Sequence, residues 1–232
     1  MATELVFIVH VDHPRLGWLE DWARDRFDTI DVVYAHKDCL NDLKTKNAGN
    51  TCFVVMGGPM GVGNIPLLSW LSLERDFLKF LLENHYRVLG ICLGAQLLAH
   101  CLGHGVKPCQ RGSVECGYYP LYGCNTLLPQ QAYQWHKDGI FMENDGREIE
   151  VLGYSDWQQH QSIQAFCYDN ILGVQFHPEV DEQTISLWCE RDKDDLSVLG
   201  AKQCHTHLVD HALYASEVQE WLKKTLGKLW GV

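Results

Sequence analysis

No stretch of this sequence approaches the roughly 20 consecutive apolar residues that span a bilayer, so no membrane-crossing helix is expected. The opening MATELVFIVHVDHP has a short apolar run with no basic residue before it, and so does not read as a secretory signal. Basic residues are few: 19 Lys and Arg stand against 30 Asp and Glu, a formal net charge of −11. Nucleic acids and anionic membranes both need basic patches, so neither is an expected partner. A cytoplasmic location is the default that remains. Internal repeats, low-complexity tracts and clear linkers are also missing, which leaves one domain over residues 1–232.

Cysteine is plentiful, but its spacing is uninformative. The ten cysteines include Cys101, Cys109, Cys116, Cys124, Cys189 and Cys204, none of them in a tight Cys-x-x-Cys pair. His100 and His104 share a helical spacing, and His205 and His207 flank Thr206, without completing a ligand set. The cysteines read as small buried hydrophobes. Without a secretory signal a disulfide framework is not expected. No metal and no cofactor are expected.

Apolar residues make up 46% of the chain and charged residues 21%, ordinary for a globular protein. Short apolar runs alternate with helical patterns. Leu5–Val11, Asp31–Ala35, Cys52–Met56 and Arg87–Ile91 read as strands; Leu19–Arg26, Leu67–Glu83 and Ala95–Leu102 read as helices. Between Ser113 and about Ile171, the runs VECGYYPL, EIEVLGY and SIQAFCY read as short strands. Leu172–Phe176 is a further buried strand, and Thr184–Arg191 and Val218–Leu229 are helices. Arg191–Asp195 (RDKDD) reads as a solvated charge run. The expected fold is α/β: a mostly parallel open sheet flanked by helices, with a small antiparallel excursion.

Three motifs each follow a predicted strand, so all three fall on one carboxyl edge of the sheet, where open α/β sheets bind ligands. Gly90-Ile91-Cys92-Leu93-Gly94 is Gly-x-Cys-x-Gly at a strand–helix junction. Serine with this spacing forms a nucleophile elbow, whose tight turn brings neighbouring backbone too close for side chains two residues away. A cysteine there meets a helix N-terminus, which favours its thiolate. A Gly-Cys-Gly turn in a buried junction is the competing account. Gln175-Phe176-His177-Pro178-Glu179 offers a base and an orienting carboxylate two residues apart, on one face of extended backbone. A chance His and Glu at a surface strand end is the alternative in a chain with 12 histidines. Gly57-Gly58-Pro59 can present a bare N–H that, with the one after Cys92, makes a two-donor oxyanion hole from Gly58 and Leu93. An ordinary βα turn would have the same composition.

Taken in this order, Gly-Gly-Pro, G-I-C-L-G-A-Q and Q-F-H-P-E resemble the class I glutamine amidotransferases over roughly residues 50–180. The resemblance implies flavodoxin-like topology and a triad of Cys92 as nucleophile, His177 as base and Glu179 as its orienter. Cys92 and Glu179 are then expected on the two ring nitrogens of His177. It implies that Gln96, Trp135, His136, Lys137 and Asp138 bind substrate, and that Glu115-Cys116-Gly117 packs near its amino-acid end. Helix-surface, core-aromatic and structural-histidine roles compete for Gln96, Trp135 and His136.

The chemistry implied is thiolate attack on the γ-carboxamide of glutamine, giving a cysteinyl thioester and ammonia. The substrate class is a small molecule, glutamine or a γ-glutamyl compound. The family also allows a partner, in the form of a separate synthetase subunit. A γ-glutamyl peptidase or hydrolase using the same triad is the alternative, and a non-catalytic binding module on the same scaffold is a third. The chain has no Gly-rich phosphate loop for an acceptor reaction. Lys137 stands where the GMP synthase group commonly has glycine. The glycine-rich Gly57–Gly63 turn is the element expected to move most freely. Residues 191–211 match no pattern.

Overall fold

The computed structural model of the chain describes residues 2–108, 113–123, 128–157 and 160–232. Cys109 and Cys124 lie outside these; the eight described cysteines are free thiols. The elements in chain order are β1 (Glu4–Val9), α1 (Trp18–Arg24), β2 (Thr29–Tyr34), β3 (Thr51–Val55), α2 (Ser69–Glu83), β4 (Arg87–Ile91), α3 (Leu93–Cys101), β5 (Gly105–Pro108), β6 (Glu115–Pro120), β7 (Tyr122–Gly123), β8 (Gln131–His136), β9 (Asp138–Phe141), β10 (Glu150–Trp157), β11 (His160–Tyr168), β12 (Ile171–Val174), α4 (Glu182–Arg191) and α5 (Cys204–Trp230).

The main sheet runs β2-β1-β3-β4-β12-β11-β10-β7. Its first five strands are parallel. Both faces of β1 and β3 are covered, which is why LVFIV and CFVV are unbroken apolar runs rather than alternating ones. Successive side chains still separate by face. Leu5, Phe7 and Val9 join Cys52 and Val54 in a cluster with Leu19 and Trp22 of α1 and Leu222 and Leu226 of α5. Val6, Ile8, Phe53 and Val55 join the opposite cluster, with Leu71, Phe77 and Leu78 of α2 and Leu97 and Leu98 of α3. Helices therefore sandwich the parallel part of the sheet, as expected.

The antiparallel part is larger than the sequence pattern suggested. Strand β11 pairs with β12, β10 and β9, and β9 also carries β5. Among the described residues, β6 and β8 stand apart, as a two-stranded sheet pairing Glu115 with His136 and Cys116 with Trp135. Strands β5, β7, β8 and β9 were not legible beforehand; they are short or carry polar residues on their buried faces. The last helix begins at Cys204, well before Val218. Its first turns bury His207 and His211 instead of aliphatic residues. The Nε2–H of His207 donates to the Lys202 carbonyl (3.1 Å), so its Nδ1 accepts from the Tyr133 hydroxyl (3.0 Å). No described helix is long and apolar enough to cross a membrane.

Parallel order places the C-terminal ends of β1, β3, β4 and β12 side by side. Those ends lead into His10, Gly57, Cys92 and Gln175–His177.

Candidate active site

Cys92 sits between β4 and α3 with φ 50° and ψ −107°. A non-glycine residue held there stores of the order of 1–3 kcal/mol of strain. Two contacts impose it. Its N–H bonds the Val174 carbonyl of the neighbouring strand (2.9 Å), and its carbonyl accepts from the N–H of Gln96, opening the helix (2.9 Å). The flanking glycines permit the turn: a Cβ on Gly94 would stand 2.1 Å from the Val55 carbonyl oxygen, and one on Gly90 would stand 2.7 Å from the Gly94 carbonyl carbon. Both positions are closed to any other residue without backbone movement.

His177 and Glu179 follow β12 and are both buried. Their side chains do leave the same face, and His177 Nδ1 lies 2.7 Å from Glu179 Oε1. A loop distant in sequence pins this segment. The Trp18 N–H donates to the Glu179 carbonyl (3.2 Å), and its indole N–H donates to the Pro178 carbonyl. Gly17, at φ 56°, touches the Glu179 carbonyl so closely that a Cβ would lie 1.7 Å away. The Trp188 ring of α4 meets the His177 ring edge-on at 4.9 Å.

Cys92 lies beside this imidazole and interacts with it, and Gly57 fills the gap: a Cβ on Gly57 would stand 2.8 Å from His177 Cε1 and 3.5 Å from Cys92 Cβ. Burial by itself disfavours the imidazolium. The Glu179 carboxylate, together with the charge and hydrogen bond of the Cys92 sulfur, outweighs it and raises His177 to about 10. The arrangement therefore favours a protonated imidazole beside the Cys92 side chain. The Cys92 sulfur also lies 3.9 Å from the Trp135 carbonyl oxygen.

The Gly57-Gly58-Pro59 turn passes over the same edge. Gly58 is wedged between His10 and Leu93, where a Cβ would stand 2.9 Å from His10 Cβ and 3.1 Å from Leu93 Cδ2. The turn carries a hydrogen bond near each end. His10 donates to the Gly57 carbonyl (3.1 Å), and the Asn64 side chain accepts from the Gly61 N–H (2.9 Å).

The other anticipated residues divide into two sets. Gln96 and His136 are buried and turned toward protein partners. The Gln96 amide donates to the Asp138 carbonyl and to Gln175 Oε1, each at 3.2 Å. His136 Nδ1 donates to the same Asp138 carbonyl (3.0 Å), and its Nε2 faces Glu115 Oε2 at 3.2 Å. Glu115 in turn accepts from Ser155 and Gln164. Burial pushes the Asp138 carboxyl up, with His136 opposing, and Asp138 Oδ2 lies near Gly61. Trp135 and Lys137 instead point outward to one carboxylate: the indole N–H donates to Asp195 Oδ2 (3.4 Å) and Lys137 Nζ pairs with Asp195 Oδ1 (2.8 Å).

In the charge run 191–195 Arg191, Lys193 and Asp194 are exposed as expected, but Asp195 departs from it: its side chain is three-quarters covered against the strand β8 end. The sequence could not give this, because the partners lie 58 and 60 residues away. Gly17, Trp18 and Trp188 escaped for the same reason. His10 and Glu74 had one legible signal: Glu74 occupies the apolar stripe Leu71-Phe77-Leu78-Leu81 of α2. No group of three or more potential ligand side chains among the described residues is placed to hold a metal ion.

Comparison with known proteins identifies the family. The class I glutamine amidotransferase family profile matches residues 20–186. The glutamine-hydrolyzing GMP synthase of Thermomicrobium roseum is 33% identical over 136 residues, 55% of this chain but only 23% of its own length. The chain thus spans under a quarter of that relative. A subunit of the glutamine-hydrolyzing GMP synthase of Saccharolobus solfataricus is 31% identical over 163 residues, 65% of this chain and 76% of its own length. Among solved structures, a glutamine amidotransferase from Thermotoga maritima superposes with a TM-score of 0.70 at 24% identity, covering 100% of this chain and 94% of the other.

Proposed function

We propose that this chain, which belongs to the class I glutamine amidotransferase family, hydrolyses the γ-carboxamide of glutamine through a thioester on Cys92 and releases ammonia. The observation that carries the reading is the strained Cys92 beside an imidazole held by Glu179 at 2.7 Å. A cysteine nucleophile needs a base, and the base needs an orienter.

In this reading the Cys92 thiolate attacks the carboxamide carbon, and the carbonyl electron pair moves to oxygen. The Gly58 and Leu93 N–H groups hold that oxyanion; losing one such donor typically costs about 10²–10³ in rate. His177, protonated against the sulfur, gives its proton to the departing nitrogen as the tetrahedral species collapses. The neutral imidazole then takes a proton from water, which attacks the thioester to free glutamate and restore the sulfur. Gln96 and His136 brace the Asp138 carbonyl, so the backbone at Trp135–Asp138 presents a fixed edge to the substrate's amino-acid end.

A γ-glutamyl conjugate is the second reading. Lys137, paired with Asp195, adds a bulky charged cover where the GMP synthase group commonly has glycine. Ammonia transfer to a separate synthetase subunit fits the Saccharolobus relative, which is itself named as one subunit of its enzyme. Purified protein offered glutamine and a series of γ-glutamyl peptides decides between them. The expected result is trapping of a γ-glutamyl adduct on Cys92 by mass spectrometry, with slow free-glutamine turnover, below the ordinary enzyme range of about 1–10³ s⁻¹. An adduct formed only from peptides selects the second reading. No adduct from either substrate, with Cys92 still alkylated by iodoacetamide, overturns both.

A further inference from the structure

We infer that the buried pair His10–Glu74 is a positioning device for the oxyanion hole: it fixes the Gly57–Gly58 peptide so that the Gly58 N–H faces the reacting centre. The inference rests on the thioester reading above and adds two residues, from the end of β1 and the middle of α2, that no motif contains.

Both side chains are completely buried. His10 Nε2 lies 2.9 and 3.1 Å from the two oxygens of the Glu74 carboxyl. Its Nδ1 lies 3.1 Å from the Gly57 carbonyl oxygen, which can only accept, so Nδ1 carries a proton. That assignment holds whether the proton shared with Glu74 resides on nitrogen or on oxygen. Burial works against a charged His10, but the Glu74 carboxylate outweighs it and raises the ring's proton affinity.

A trans peptide is planar, with the carbonyl of one residue antiparallel to the N–H of the next. Holding the Gly57 C=O toward His10 therefore turns the Gly58 N–H the opposite way. Gly57 itself lies against Cys92 and His177, and Gly58 between His10 and Leu93, so the peptide between them borders the Cys92 side chain. The Gly58 N–H has no acceptor among the described residues. Two successive glycines leave this peptide free to rotate, so an external hydrogen bond must choose its orientation. A carboxylate on the apolar stripe of α2, surrounded by Leu71, Phe77 and Leu78, is costly to bury. An apolar pair there would pack as well or better; the polar pair is explained by what His10 holds.

The test compares the wild type with two double variants. His10→Leu/Glu74→Leu removes the donor without stranding a buried charge. His10→Asn/Glu74→Gln keeps an N–H donor close to the place of Nδ1. Three quantities are read on each: steady-state hydrolysis, inhibition by glutamate γ-semialdehyde, which adds to the thiol as a tetrahedral oxyanion-bearing adduct, and iodoacetamide alkylation of Cys92, which needs no oxyanion hole.

The leucine pair is expected to lose about 10²–10³-fold in kcat and in aldehyde affinity, with KM and alkylation rate close to wild type. The Asn/Gln pair should recover to within about tenfold of wild type, an interaction felt chiefly in the transition state. Wild-type kcat and aldehyde affinity in the leucine pair would overturn the inference. So would an Asn/Gln pair as impaired as the leucine pair, because packing rather than the donor would then be responsible. A wild type inert toward substrates and aldehyde brings down the thioester reading itself; that loss shows in the parent protein, whereas failure of the positioning role shows only among the variants.

Discussion

The parallel edge and the cover packed over it are built on opposite principles. At the edge, the β4–α3 junction is made of backbone: Gly90 and Gly94 with no room for a Cβ, a cysteine at φ 50°, and a Cys92 N–H bonded to the neighbouring strand. In the cover, formed by β6, β8, α4 and the first half of α5, side chains carry the structure. Tyr118, Tyr133, Val180, Ile185 and Cys189 form a separate core with Trp135 and Trp188 against it. Backbone geometry tolerates almost no substitution, whereas a side-chain cover can be rebuilt residue by residue while the chemistry beneath stays the same. In the proposed function, bond making belongs to the edge and choice of substrate to the cover.

The strongest way to break this division is at Cys92. Cys92→Ala should abolish hydrolysis, by about 10⁴-fold or more for loss of a nucleophile, with the fold intact. The same variant tests the electrostatics. Without the contribution of the Cys92 side chain, the His177 titration followed by NMR should fall relative to the wild type. The sign for stability follows. A histidine whose proton affinity is raised by folding stabilises the fold below the ordinary histidine range, and loses that contribution as pH rises through about 10. The alanine variant should lose stability over a lower pH window. An unmoved His177 titration would mean the two groups are not in contact.

Gly94→Ala should damage the edge by adding one methyl group. Its Cβ meets the Val55 carbonyl at 2.1 Å, and backbone cannot swing aside as a side chain does. Overpacking of this kind costs about 3 kcal/mol, which for a chain this size lowers Tm by about 6–12 °C. A Tm within error of wild type would show that the junction is plastic after all.

The smallest expected effect lies in the cover. Asp195→Ala frees both Trp135 and Lys137. Because the Lys137–Asp195 pair is partly exposed, stability should change by less than about 1 kcal/mol. The comparison predicts a change in relative KM among γ-glutamyl substrates with kcat nearly constant. A loss in kcat that is equal for all substrates would place Asp195 with the chemistry and blur the distinction.

The legibility of the two regions differs in the same way. Strands β1, β3, β4 and β12 and their motifs could be read directly, because a parallel strand buried on both faces is an unbroken apolar run and each motif adjoins its strand. The β8 and β9 strands and the front of α5 could not, because Gln134, His136, His207 and His211 are buried polar residues. Each also reaches a distant partner: Gln134 meets Gln164, His136 faces Glu115, His207 meets Tyr133 and His211 meets Tyr118, so no local pattern announces them.

By itself, then, the sequence determined the α/β class, the order of the parallel strands' motifs and the grouping of Cys92, His177 and Glu179 on one edge, since period, glycine spacing and strand direction are local properties. Only the tertiary structure decided that Gly17 and Trp18 clamp the Glu179 backbone, that Asp195 folds onto Trp135 and Lys137, and that His10 and Glu74 meet beneath the Gly57 carbonyl. Those contacts join residues 47 to 162 positions apart, and a hydrogen bond between distant residues leaves no periodicity in either of them.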